Sequence, residues 1–130
     1  MHSRIAVIDD DAVFLELMDE LLGHGEGYEV FTCSNWVDSV EFVREVKPDL
    51  VLLDLVMGRN QSGWVILEQL RREPAFAELP VILCTAAATV LDGAEARANL
   101  EYVAKPFDID DLLATIQRLL ARTPTAAVAE

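Results

Sequence analysis

Short apolar runs that alternate with amphipathic stretches predict an α/β fold built on a parallel sheet. Three observations carry the prediction. Five apolar runs of strand length recur along the 130 residues. The segments between them place apolar residues three and four apart, most clearly in the first and last. The central run, Asp49 to Leu55 (Asp-Leu-Val-Leu-Leu-Asp-Leu), is apolar almost throughout rather than alternating, as expected of a strand covered on both faces.

Ile5 to Ile8 reads as the first buried strand, ended by Asp9, Asp10 and Asp11. Phe14, Leu15, Leu17, Met18, Leu21 and Leu22 then mark a helix, with Asp11 as N-cap and Gly23 or Gly25 as the stop. Tyr28 to Cys33 is the second strand. Val37, Val40, Phe42, Val43 and Val46 mark the second helix, which ends before Pro48. After the central strand, Val56 to Ser62 reads as a glycine-containing loop. Trp64, Leu67 and Leu70 mark a third helix, stopped by Pro74. Pro80 to Thr85 is the fourth strand, and Ala86 to Asn99 a weakly patterned helix containing Gly93. Glu101 to Ala104 is the fifth strand. Ile109, Leu112, Leu113, Ile116, Leu119 and Leu120 make a well-patterned last helix, and Thr123 to Glu130 an Ala/Thr/Pro tail. Trp36 and Trp64 read as packing residues.

Composition bounds the function. A hydrophobic fraction of 52% in 130 residues suffices for one domain with its own core and argues against disorder. Asp and Glu number 23 against 10 Lys and Arg, for a formal charge of −13, which repels nucleic acid and anionic lipid. Cys33 and Cys84 lie in apolar strand-like runs without zinc-ligand spacing, so both are expected to be buried reduced thiols. The amino-terminal residues lack the pattern of a signal peptide, and no apolar run reaches membrane-spanning length. The expected compartment is the cytoplasm, with no membrane contact.

In parallel α/β sheets, sites form at the carboxyl ends of strands. Here those ends hold Asp9, Asp10 and Asp11 after the first strand, Asp54 on the third, Thr85 on the fourth and Lys105 after the fifth. Asp11 alone is explained as a helix cap. Three aspartates opposite a fourth repel one another unless a cation joins them, and an all-oxygen set suits Mg²⁺. Lys105 offers a point charge suited to a carboxylate or phosphoryl oxygen, and Thr85 a hydroxyl. Together these groups suggest phosphoryl transfer to a carboxylate, with Asp54 as nucleophile and Mg²⁺ and Lys105 neutralising charge.

The sequence resembles the receiver domain of two-component response regulators from about Arg4 to Ala121. The matching segments are Ile5 to Asp11, Pro48 to Leu55, Val81 to Ala86, and Tyr102-Val103-Ala104-Lys105-Pro106-Phe107. The resemblance implies a doubly wound (βα)5, flavodoxin-like fold with a central five-stranded parallel sheet, with residues 1–122 as the receiver domain and 123–130 as a tail or linker stub. It implies Asp54 as phosphoacceptor, Asp10 as a direct Mg²⁺ ligand, Asp9 as a ligand through water, and the Val56 carbonyl as a further ligand. Thr85, Ala86 and Lys105 would bind the phosphoryl group, and the bond before Pro106 would be cis. Thr85 and Tyr102 would move on phosphorylation and remodel the face made by the 86–99 helix, the last strand and the last helix. The implied partners are a sensor histidine kinase or histidine phosphotransfer protein and a downstream protein or fused output domain, with no direct nucleic-acid binding by this domain. A homodimer through the remodelled face is compatible with the resemblance, although the 86–99 segment has no clear interface pattern. No external substrate is expected to be turned over; the chemistry is confined to the domain's own phosphorylation and dephosphorylation.

The chain departs from the family pattern after the acceptor. Gly58 stands where proline is common, Ser62 where aspartate is common, and the stretch from Asp54 to Gly63 is one residue longer. Two positions that tune hydrolysis in the family are Val56 and Ala87 here, and neither side chain can orient a water, so slow self-dephosphorylation is expected. Other readings fit less well. A haloacid-dehalogenase-type hydrolase would want a second aspartate at Val56. An FMN binder would want a Ser/Thr/Gly phosphate loop where three aspartates stand. A receiver-like interaction module that is never phosphorylated would be expected to lack Asp54, the acidic pair or Lys105.

Overall fold

The computed structural model describes residues 3–35, 37–54, 56–57, 61–85, 100–105 and 107–122. Its strands are β1 (Arg4–Ile8), β2 (Glu29–Cys33), β3 (Leu50–Asp54), β4 (Val56–Met57), β5 (Gln61–Ser62), β6 (Val81–Thr85) and β7 (Leu100–Ala104). Its α-helices are α1 (Ala12–Met18), α2 (Ser39–Val46), α3 (Gly63–Arg71) and α4 (Ile109–Arg122). Five of the strands form one parallel sheet in the order β2-β1-β3-β6-β7. The expected α/β architecture with a five-stranded parallel sheet is therefore observed. The 86–99 segment expected to be helical, Trp36, Ala86, Pro106 and the tail at 123–130 lie outside the described residues.

Period-two alternation along the buried strands divides the core. Ala6, Ile8, Val51, Leu53, Val81 and Leu83 face Val43 of α2 and Ile66, Leu67 and Leu70 of α3. Ile5, Val7, Leu50, Leu52, Ile82 and Cys84 face Leu15 and Met18 of α1 and Leu112, Ile116 and Leu119 of α4. Both sheet faces are covered, which explains why the central strand reads as continuously apolar.

Several local readings are corrected. Val56 to Ser62 is not simply a loop: Val56 pairs with Ser62 and Met57 with Gln61 in a two-stranded antiparallel ribbon that leads straight into α3. The first helix continues from α1 through a π-helical segment, Asp19–His24, and ends at Gly25, one of the two expected stops. Val37 stands outside α2 and is 75% exposed. Its N–H donates to Asn35 Oδ1 (2.8 Å) and Asn35 Nδ2 donates to Asp38 Oδ2 (3.0 Å), a side-chain-capped turn that competes with the helix at its start. Cys84 is buried as expected, whereas Cys33 is only partly buried.

Lys47 ends α2 at φ 53°, a left-handed conformation unfavourable for a residue with a Cβ. Lys47→Gly is expected to raise stability by about 0.5 kcal/mol, the relieved strain being partly offset by the freer unfolded chain. Denaturant unfolding checks this, and an unchanged or lower midpoint would count against strain at this cap.

Candidate functional site

The sheet order makes the site. β1 pairs with β2 on one side and β3 on the other, so the strand order reverses between β1 and β3, the point whose carboxyl-end rim carries sites in sheets of this kind. Ile8 is in register with Leu53, which sets Asp9 beside Asp54. Asp54 is opposite Cys84, and Thr85 opposite Ala104, which brings the ends of β6 and β7 to the same rim.

Carboxylate oxygens of Asp9, Asp10 and Asp54 lie within 4.8 Å of one another. Asp9 is 1% exposed and Asp54 7%, while Asp10 faces solvent. Lys105 Nζ donates to Asp9 Oδ2 at 2.6 Å, with 20% of its side chain exposed. Burial lowers the proton affinity of this ammonium, but the hydrogen bond to Asp9 and the negative charges of Asp9 and Asp54 outweigh it and raise the pKa above the ordinary lysine value. Lys105 therefore stays charged. The Asp9 Oδ1 atom also accepts from the Asp11 N–H at 2.9 Å.

Asp11 does the separate work its spacing suggested. Its Oδ1 accepts from the N–H groups of Val13 (3.0 Å) and Phe14 (3.4 Å), capping α1. The acidic run thus divides into one helix cap and two cluster members.

The donor set fits a hard divalent cation. It consists of carboxylate oxygens, with two buried members to fix geometry and one exposed member that leaves room for water, as Mg²⁺ prefers. The nearby Cys84 thiol is pushed up to about 12, chiefly by burial, and stays protonated, so it offers no thiolate to a softer metal.

Of the remaining sequence-derived candidates, Val56 lies in β4, two residues after Asp54, Thr85 is the last residue of β6, and Tyr102 sits in β7 opposite Leu83. The Tyr102 ring packs against Trp64 of α3, with centroids 6.2 Å apart and planes inclined by 53°. Ala86 and Pro106 are outside the described residues. The sequence reading missed Phe14 as part of the site. Its ring lies under Lys105 Nζ, 4.1 Å from the centroid. The only signal for it was position: an aromatic in the first turn of the helix that follows the aspartates.

Comparison with known proteins places the chain in a family. The family model for the response regulator receiver domain matches residues 5–117. The DNA-binding dual master transcriptional regulator RpaA of Synechocystis is 32% identical over 123 residues, which cover 92% of this chain and 50% of that protein. The DNA-binding response regulator MtrA of Mycobacterium tuberculosis is 34% identical over 125 residues, covering 94% and 52%. The chain thus spans about half the length of these curated relatives. The signal receiver domain of a signal transduction histidine kinase from Syntrophus aciditrophicus superposes with a TM-score of 0.80 over 98% of both chains at 24% identity, a likeness of fold. With the family model spanning most of its length and relatives above 30% identity across nearly all of it, the chain belongs to the response regulator receiver domain family.

Proposed function

We propose that this receiver domain is a phosphorylation switch whose acceptor is Asp54. The observation that carries the reading is the meeting of the Asp9, Asp10 and Asp54 carboxylates within 4.8 Å, with the Lys105 ammonium on Asp9. In this reading a carboxylate oxygen of Asp54 attacks the phosphorus of a phosphohistidine in line. The new O–P bond forms as the P–N bond breaks, and the imidazole nitrogen keeps the electron pair and takes up a proton. Asp9, Asp10, Asp54 and the Val56 carbonyl would hold Mg²⁺, which supplies positive charge against the phosphoryl oxygens. Lys105 moves from Asp9 toward a phosphoryl oxygen, while the Thr85 hydroxyl and the Ala86 N–H donate to the others. Thr85 and Tyr102 then shift together and alter the face that includes β7 and α4, the surface read by an output partner.

The donor is a sensor histidine kinase or histidine phosphotransfer protein, and the setting is the cytoplasm. No described helix is long and apolar enough to cross a membrane. Residues 1–122 form the receiver unit and 123–130 a tail or linker stub. The two relatives are about twice as long as the matched stretch and are DNA-binding. At a net charge of −13, this chain is poorly suited to DNA, so any such contact is assigned to an output segment outside it.

The test is intact-mass spectrometry after incubation with acetyl phosphate, with and without Mg²⁺, on the wild type and Asp54→Asn. A single phosphoryl adduct that needs both Mg²⁺ and Asp54 is expected. A folded, Mg²⁺-binding chain that takes no adduct would leave phosphorylation-independent binding as the better reading. The adduct is also expected to outlast minutes, because the side chain of Val56 has no polar atom to orient a hydrolytic water. Val56→Asn should shorten its lifetime roughly tenfold, less than the roughly hundredfold or more of a true general base, because an amide only orients the water. Loss of label within seconds from the wild type, with no effect of Val56→Asn, would refute this.

A further inference from the structure

We propose that Phe14 is a positioning residue for Lys105: its ring face holds the ammonium beside the acidic cluster and lets it travel from Asp9 to the phosphoryl group on Asp54. The proposal rests on the reading of Asp54 as acceptor and adds a group that this reading does not contain.

Lysine is a flexible side chain with a point charge, and something must fix where that charge sits. Two partners do so here. Asp9 Oδ2 accepts from Nζ at 2.6 Å, and the Phe14 ring centroid lies 4.1 Å from the same nitrogen. The two differ in kind. The hydrogen bond is short and directional, so it resists displacement of Nζ toward a phosphoryl oxygen. Attraction to a ring face is spread over the face and tolerates displacement. Phe14 therefore offers a surface along which the charge can move without being released to solvent.

The ring is itself held in place. The backbone N–H of Phe14 donates to Asp11 Oδ1, the cap that fixes the first turn of α1. The flank of the ring meets the Phe107 ring edge-on, with centroids 6.0 Å apart and planes at 85°. Phe107 stands two positions after Lys105, so one chain segment supplies both the ammonium over the face of Phe14 and the ring at its side. A bland core role would need only apolar volume, which leucine provides. It would not need a ring face under a cation.

The experiment compares Phe14→Leu, which keeps apolar volume without a face, with Phe14→Tyr, which keeps the face. In saturating Mg²⁺ the rate of adduct formation from acetyl phosphate should fall roughly fivefold in Phe14→Leu, the range of a partly exposed cation–π contact, and recover in Phe14→Tyr. The second readout is independent of phosphoryl chemistry. The Lys105 εCH₂ proton resonance, assigned by its loss in Lys105→Arg, should be shifted upfield by the ring in the wild type and Phe14→Tyr, and return toward the free-lysine position in Phe14→Leu. An εCH₂ resonance that does not move in Phe14→Leu overturns the contact. A moved resonance with an unchanged rate overturns the positioning role, as does Phe14→Tyr reacting as slowly as Phe14→Leu. If the wild type takes no adduct, the acceptor reading fails together with the transfer half of this proposal, and the resonance still decides whether Phe14 holds Lys105.

Discussion

Asp54→Asn is expected to give a chain that takes no phosphoryl adduct and that, without divalent cation, unfolds at a higher temperature than the wild type. The two effects have one cause. The carboxylate proposed as nucleophile sits with those of Asp9 and Asp10 within 4.8 Å, and the Lys105 ammonium is bonded to Asp9. At an effective dielectric of about 20, like charges at this separation repel by on the order of 3 kcal/mol before solvent screening. Asp10 is exposed, which weakens its share. Asp54 and Asp9 are buried, and their mutual repulsion survives. Asparagine keeps the shape and removes the charge, at the expense of some hydrogen bonding. The expected net gain is about 1–2 kcal/mol, or roughly 3–6 °C for a domain of this size. Mg²⁺ should raise the wild-type midpoint by mass action and raise the variant's much less. Thermal melts in chelator and in Mg²⁺ read both terms. A variant that melts below the wild type in chelator and gains equally from Mg²⁺ would show that the carboxylates neither strain the fold nor hold the cation together.

The second large effect is expected in the core. Leu52 and Leu53 are neighbours on β3 but point to opposite faces of the sheet. Both are at most 1% exposed. Each truncation to alanine removes buried methyl groups and leaves a cavity that a central strand cannot collapse around, a loss of about 2–5 kcal/mol. Against a total stability of about 5–15 kcal/mol, either single variant should remain folded with a much lower midpoint. Leu52→Ala should loosen contacts toward α1 and α4, and Leu53→Ala those toward α2 and α3. The double variant should approach the sum and fail to fold cooperatively at 37 °C. Urea unfolding of the three variants checks this, and losses below about 1 kcal/mol for both singles would contradict the two-faced core.

The sequence was informative wherever a pattern repeats and poor wherever contact is set by distant partners. Apolar runs located all five strands of the main sheet to within a residue or two, because a fully covered strand leaves no room for polar residues. The Asp11 cap was legible because side-chain oxygens before a helix have a defined task. The strand-end groups were legible because parallel order brings carboxyl ends to one rim. The ribbon of Val56–Met57 with Gln61–Ser62 was missed, since strands two residues long carry no period. The π-helical stretch was missed for a related reason: a widened turn still lets Leu21 and Leu22 look helical. Val37 was assigned to a helix on apolarity alone, whereas Asn35 and Asp38 decide where α2 starts. The pairing of Lys105 with Phe14 could not be read at all, because the two are distant in sequence and meet only when β7 and α1 flank the same sheet end.

The strand order also bears on how the molecule comes into being. β1 lies between β2 and β3, so the earliest-made strand of this sheet finds both of its neighbours within Arg4 to Asp54. Chains fold from the amino terminus as they are made, and this three-stranded nucleus can gather before β6 exists. It already contains Asp9, Asp10 and Asp54. Lys105 arrives only with the last strand. A nucleus of these three strands alone would hold the acidic cluster without its built-in counter-charge, and a dissolved cation would then be the group able to offset it.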